Sequence, residues 1–361
     1  MNRSRARFVA ALLVALLSTA CGSSTKSGTQ STTPATRKFD KTVVLMSHDS
    51  FTASKPVLAA FTEQTGYQVK VLKSGDAGEA VGKAIAVQDH PVADAFFGVD
   101  NTLLTKALDA DLFQPYDAPG LAHVPATYQL DAQHRVTPID HADVCVDADK
   151  GWFGQDGHPP LPRSLADLAK PAYKKLLVVE DPASSSPGLA FLLATIAASS
   201  KTGWQDYWRS LRENGVRVVD GWETAYYTDF TAGGGSGDRP LVVSYATDPA
   251  ADVVFSGGKK TTPTIGVVPG TCFAQTEFAA VLTNAKNPAG ARALIDFMLT
   301  RRFQRDMPLQ MYVYPVVDGT PLPEVFTKFV VLPPNPFTMT PEEIGANRKA
   351  WLDEWTQIVL Q

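Results

Sequence analysis

Cysteine is scarce in this chain, with three in 361 residues. That is far too few for a scaffold held together by disulfides. Neither Cys145 nor Cys272 has a second cysteine at zinc-ligand spacing, so no metal site is expected. Basic charge is also short: 33 Lys and Arg stand against 37 Asp and Glu. A nucleic-acid binder would normally show a basic face, and that class is set aside. Past the first twenty residues no run approaches the roughly 20 apolar residues of a membrane helix. Gly-x-Ser-x-Gly and His-Glu-x-x-His are both absent, and the Asp and His residues are scattered rather than paired, which argues against an enzyme. The glycines at 233, 234, 235 and 237 lack the Lys-Ser/Thr of a phosphate-binding loop and read as a flexible connection. No repeat of solenoid period is present, and no cofactor is expected.

What is present begins at the start. Arg3, Arg5 and Arg7 lead an apolar run from Phe8 to Leu17, and small residues precede Cys21. This pattern reads as a secretory signal over 1–20. A cysteine directly after the cut suggests lipidation of Cys21, as in bacterial lipoproteins; without it the chain would be secreted. The Ser/Thr/Gly-rich segment 21–40 reads as a flexible tether. The expected location is extracytoplasmic, held at the outer face of the cell membrane by a lipid anchor alone. Removal of 1–20 takes away three arginines and no acids, so the mature chain is more acidic still, which mildly favours a cationic ligand. In an oxidising compartment Cys145 and Cys272 are a disulfide candidate, with two buried free thiols as the alternative.

From residue 42 the chain alternates short β-branched runs with amphipathic segments. Strands are predicted at 42–46, 67–72 and 93–99, with helices at 54–65, 79–87 and 102–108. This is a parallel α/β unit. A second follows, with strands at 176–179, 217–219 and 241–245. Its helices fall at 189–199, capped by Ser186 with Pro187 first, at 204–213, and at 222–230. Extended segments near 136–146 and 266–282 separate the two units. The chain leaves one lobe, builds a second and returns. A long helix is predicted at 288–305. A capping box at Thr340 starts a last helix that buries Ile344, Trp351 and Trp355. The fold class is α/β with two lobes and two hinge crossings: lobe 1 from 41–138 and 277–361, lobe 2 from 139–276. A ligand would sit between them, at the carboxyl ends of the strands.

Several segments carry a resemblance: HDSF at 48–51, ADAFFGVDNTLL at 93–104, EDPASSSPGLAFLLA at 180–194, DGWETAY at 220–226, VVSYATDP at 242–249, MYVYPV at 311–316 and TPEEIGANRKAWLDEW at 340–355. In this order they resemble the thiamine-binding substrate-binding proteins of bacterial ABC importers. The resemblance implies a type II periplasmic-binding-protein-like fold, no catalysis, and delivery of thiamine or a phosphate ester to a permease with a cytoplasmic ATPase. A monomer is expected.

Carried over by position, the implied contacts are His48, Asp49, Ser50, Asp76, Asp100, Asn101, Ser185, Ser186, Pro187, Trp222, Tyr226, Tyr245, Thr247 and Tyr312. The chemistry suits a thiazolium cation with an aminopyrimidine ring. Trp and Tyr faces attract cations, Asp49 or Asp76 balances charge or accepts from the amine, and the 184–186 turn offers N–H groups to a hydroxyl or phosphate. Two positions depart from the family pattern: His48 stands for a tyrosine, and Ala251 for an expected aromatic. The alternatives are another organic cation, ferric ion on the same fold, and a thiamine-cleaving enzyme.

Overall fold

The structure is a computed structural model, and it describes residues 41–361. The expected signal, Cys21 and the tether lie outside the described residues. Among the described residues one sheet of eleven strands forms the framework. The strands are β1 (Thr42–Ser47), β2 (Gln68–Lys73), β3 (Ala95–Asp100), β4 (Phe113–Gln114), β5 (Thr137–Asp149), β6 (Leu177–Glu180), β7 (Arg217–Val219), β8 (Leu241–Tyr245), β9 (Ile265–Val267), β10 (Phe273–Leu282) and β11 (Tyr314–Pro315). The main path runs β2-β1-β3-β10-β5-β8-β6-β7. Each end is a parallel trio, β2-β1-β3 or β8-β6-β7. The two longest strands, β5 and β10, pair antiparallel in the middle. The architecture is therefore α/β and two-lobed, with the long extended segments at its centre.

Burial explains the strand compositions. β3 (AFFGVD) is buried at all six positions, as a strand covered on both faces must be. The Ser186–Ala198 helix is apolar all round and is buried through its length to Ile196. Trp208 meets Phe191 of this helix and Trp355 edge to face, and Trp208 Nε1 donates to Thr195 Oγ1 at 2.9 Å. Cys145 and Cys272 form a disulfide. It ties β5 to the residue preceding β10, one step beyond the Val144–Phe273 register pair.

Five expectations are corrected locally. The N-cap of the Ser186–Ala198 helix is Ser185, whose hydroxyl accepts from Gly188 N; in a row of three serines the neighbour serves as well. The helix predicted over 288–305 breaks after Pro288–Met298, because Thr300 caps a new short turn, Arg301–Gln304. The 222–230 segment is one α-turn followed by a π-turn, Ala225–Asp229. Trp351 is only half-buried, whereas Ile344 and Trp355 are fully buried. The glycine loop is clamped rather than free. A Cβ at Gly233, Gly235 or Gly237 would stand 1.7, 2.1 or 2.1 Å from the carbonyl oxygens of Tyr226, Tyr227 and Asp229.

Candidate functional site

The carboxyl ends of β1, β2, β6, β7 and β8 point at one another, and between them lies a cleft of about 260 Å³. His48, Asp49, Ser50, Asp76, Ser186, Pro187, Trp222, Tyr226, Tyr245, Thr247 and Tyr312 all line it. Asp100, Asn101 and Ser185 do not. Asp100 accepts from Thr102 N and Leu103 N, and from Gln275 Nε2. Asn101 bonds Ala274 O and Thr276 N. That pair ties β3 to β10 behind the cleft wall, and Ser185 is spent as a helix cap.

Asp76 holds the seam of the cleft together. Its Oδ1 accepts from Ala77 N at 2.6 Å and Ser186 N at 3.3 Å, and its Oδ2 from Trp222 N at 2.9 Å. One carboxylate thus serves three helix starts, from both sides of the cleft. Burial pushes its pKa up, partly offset by the N–H groups of Trp222 and Ala77 and by His48. The backbones meet closely here: Glu79 N donates to Ser184 O at 2.9 Å, and a Cβ on Gly78 would stand 2.5 Å from that same oxygen. The expected anion site at 184–186 is therefore filled from within. Ser186 N is taken by Asp76, and the Ser184 hydroxyl donates to Asp220 O at 2.6 Å.

His48 Nε2 lies 3.1 Å from Glu277 Oε1. Burial works against the imidazolium, but the charges of Glu277, Asp76 and Asp49 outweigh it and raise the pKa. Asp140, opposite Glu277 in the ladder, has its pKa driven well up by burial and by Glu277's charge. A second carboxyl pair underlies the β8 end. Burial raises Asp147 well above the carboxylate range, and Asp248 to about 6.

The aromatic walls complete the site. Trp222 Nε1 donates to Ser244 Oγ at 2.9 Å. Its ring stacks on Tyr226 with centroids 5.0 Å apart and meets Tyr227 and Tyr245 edge-on. Tyr312, held at a positive φ of 56°, lies 5.0 Å from the ring of Phe255. Phe255 is one helical turn beyond Ala251, so an aromatic reaches the cleft mouth although Ala251 itself supplies none. Sequence reasoning missed Phe255, Tyr227, Gln275, Glu277 and Asp248. Glu277 had a signal: it is the one charge inside the apolar strand FAQTEFAAVL.

Among the described residues the lining contains seven acids, Asp49, Asp76, Glu79, Asp220, Glu223, Asp248 and Glu277, and neither lysine nor arginine. Such a cleft attracts cations, and its aromatic faces add cation–π attraction. Among the described residues no three His, Cys, Asp or Glu side chains converge to hold a metal ion.

The family model described as bacterial extracellular solute-binding protein matches residues 90–329. This chain belongs to that family. Among its relatives, a protein named thiamine-binding periplasmic protein from Salmonella typhimurium is 28% identical over 327 residues, covering 89% of this chain and 94% of the relative. Another protein of that name, from Brucella melitensis, is 27% identical over 336 residues, 89% and 93% of the two chains. A solved structure described as a periplasmic thiamin binding protein superposes with a TM-score of 0.74 at 26% identity, covering 88% of this chain and 96% of that one. An apo ferric ion-binding protein A from Pasteurella haemolytica shares the fold with a TM-score of 0.70 at 18% identity. Among the described residues no helix is long and apolar enough to cross a membrane.

Proposed function

We propose that this chain is the extracytoplasmic component of an ABC importer that captures thiamine between its lobes and delivers it to a permease with a cytoplasmic ATPase. The lobes are 41–138 with 277–361, and 139–276. Their boundaries fall within β5 and β10, the strands that cross between the two parallel trios. The carrying observation is the pairing of stacked aromatic rings with an acidic lining that holds neither lysine nor arginine. This is the chemistry a flat, permanently charged heteroaromatic cation needs. Trp222, Tyr226, Tyr245 and Tyr312 take the rings, with Asp76, Asp248 and Glu277 opposing the charge. The likeness in length and sequence to relatives named for thiamine supports the same ligand.

The protein acts by binding alone. Among the described residues the two cysteines are joined and buried, which fits this reading. A lipid on Cys21 holds a monomeric body at the membrane. The test is calorimetric titration with thiamine after unfolding and refolding to strip any co-purified ligand. Submicromolar binding with quenched tryptophan fluorescence is expected, and heat-silent titration up to millimolar ligand would refute the assignment.

A further inference from the structure

We propose that proton and ligand compete at one buried acid pair: Asp147 keeps a proton that it donates to Asp248, and Asp248 must be free of a second proton to receive the cation. Asp147 is then a positioning residue that never touches the ligand. The inference rests on the thiamine reading and adds a control to it.

The sheet sets the pair up. In the β5–β8 ladder Asp147 lies opposite Val242, and Cys145 opposite Ser244, so Asp147 and Ser244 project from the same face. Asp248 opens the helix that follows β8 and lines the cleft. The two carboxyl groups meet side chain to side chain, at 0% and 4% exposure. Among the described residues neither oxygen of Asp147, nor Oδ2 of Asp248, has a donor. Two charged carboxylates in contact and out of water repel. One proton between them turns the repulsion into a hydrogen bond.

The surroundings decide which acid keeps that proton. The Ser244 hydroxyl and the Tyr245 N–H both favour the charged form of Asp248. Ser244 Oγ accepts from Trp222 Nε1 at 2.9 Å, which leaves its own proton for Asp248. Asp147 has no such donor among the described residues, and burial holds its pKa well above that of an ordinary carboxyl. Burial also raises Asp248, but only to about 6. Asp252, on the same helix, adds to that rise and is itself bound by Lys260 and by Thr264 N at 2.6 Å. Tyr226 and Tyr227 feel the charge of Asp248 from the π-turn, and burial raises both hydroxyls. The Glu324–Phe329 helix meets this one through an apolar cluster of Phe326 and Ala250. A permanent cation favours ionised Asp248. Binding is therefore strongest above about pH 6 and is lost as pH falls through it. Below that pH, binding sends the proton of Asp248 back to solvent.

The experiment titrates the full chain, in detergent, with thiamine from about pH 7.5 down to about pH 5, by calorimetry in buffers of different ionisation enthalpy. It includes Asp248→Asn, Asp147→Asn and Asp147→Val. Wild type should lose affinity by up to roughly tenfold per pH unit below the transition and release up to about one proton there. Asp248→Asn should bind roughly tenfold more weakly at neutral pH, with a flatter profile and less proton release. Asn at 147 keeps a donor and should preserve the wild-type profile. Valine removes it, so the affinity loss should begin at higher pH. His48 and Asp76 titrate in the same cleft in every one of these proteins, as does the ligand's aminopyrimidine, so differences between the curves isolate the pair. Superimposable pH profiles and proton release for wild type and Asp248→Asn would overturn the inference while leaving the thiamine reading intact. Asp147→Asn behaving as Asp147→Val would overturn the donor role of Asp147. Failure of thiamine to bind wild type at any pH would remove the underlying reading and this inference with it.

Discussion

Phe255 shows how a single position can be misjudged from sequence. Ala251 occupies the place where the family pattern leads one to expect a ring, yet four residues on a helix is one turn, and Phe255 stands on the same face. It is 64% exposed, costly for so large an apolar side chain unless something covers it. Tyr312 covers one face. A bound heteroaromatic cation would cover more. Phe255→Ala should therefore leave thermal stability nearly unchanged and weaken thiamine binding roughly tenfold, within the range of one cation–π contact. The loss should appear mainly as faster dissociation, read by stopped-flow tryptophan fluorescence. Unchanged dissociation would show that the ring lies outside the ligand's reach.

At the scale of the element, two of the titrating groups on β5 have opposed effects. Burial lowers His141 from 6.5 to about 4 and raises Asp143 from 3.8 to about 6. For His141 the unfolded chain holds the extra proton between 6.5 and about 4, so stability falls as pH drops through that window. For Asp143 the folded chain holds it between about 6 and 3.8, so stability rises as pH drops. The two slopes cancel from about 6 down to about 4. Asp143→Asn would unmask the histidine. Its stability relative to wild type should fall by about 1 kcal/mol per pH unit over that interval, measured by urea unfolding. Parallel stability curves for the two proteins would contradict this.

Elements were also where the sequence was most readable. The parallel strands emerge within a residue or two because β-branched runs bounded by Gly, Asp and Ser have few other solutions. What escaped depended on partners distant in sequence. The π-turn after Trp222 and the clamping of the glycine loop by that turn's carbonyls leave no local periodic mark. Asp100 and Asn101 read as candidates because they end a strand facing the ligand side. Only the pairing of β3 with β10 reveals that their hydrogen bonds are consumed there. Asp76 was expected at the ligand, but its role in gathering three helix starts requires two segments more than a hundred residues away.

At the scale of the whole molecule, closure depends on how near the halves can come. Gly78 is set against Ser184 O, with no space for a methyl group. Gly78→Ala should separate two properties that usually move together. Alanine in a helix is favoured over glycine by roughly 1 kcal/mol, so thermal stability should hold or rise. The seam cannot then form, and thiamine binding should fall at least tenfold. Small-angle scattering should show wild type contracting with saturating thiamine while the variant stays extended. Contraction in both would mean that the Gly78 contact yields.

The Cys145–Cys272 bond has a topological consequence. It spans 127 residues of sequence, which turns nearly all of the middle of the chain into a covalent ring. A ring of that size constrains the unfolded chain by about 5 kcal/mol in the chain-entropy description. It also changes what a protease can do. The exposed Gly257-Gly258 turn after the Asp248–Phe255 helix is an accessible place for a nick. A cut there opens the ring without releasing a fragment. The nicked protein should run as one species on a non-reducing gel and as two after reduction, so outside the cell a single cleavage scars the molecule without dividing it.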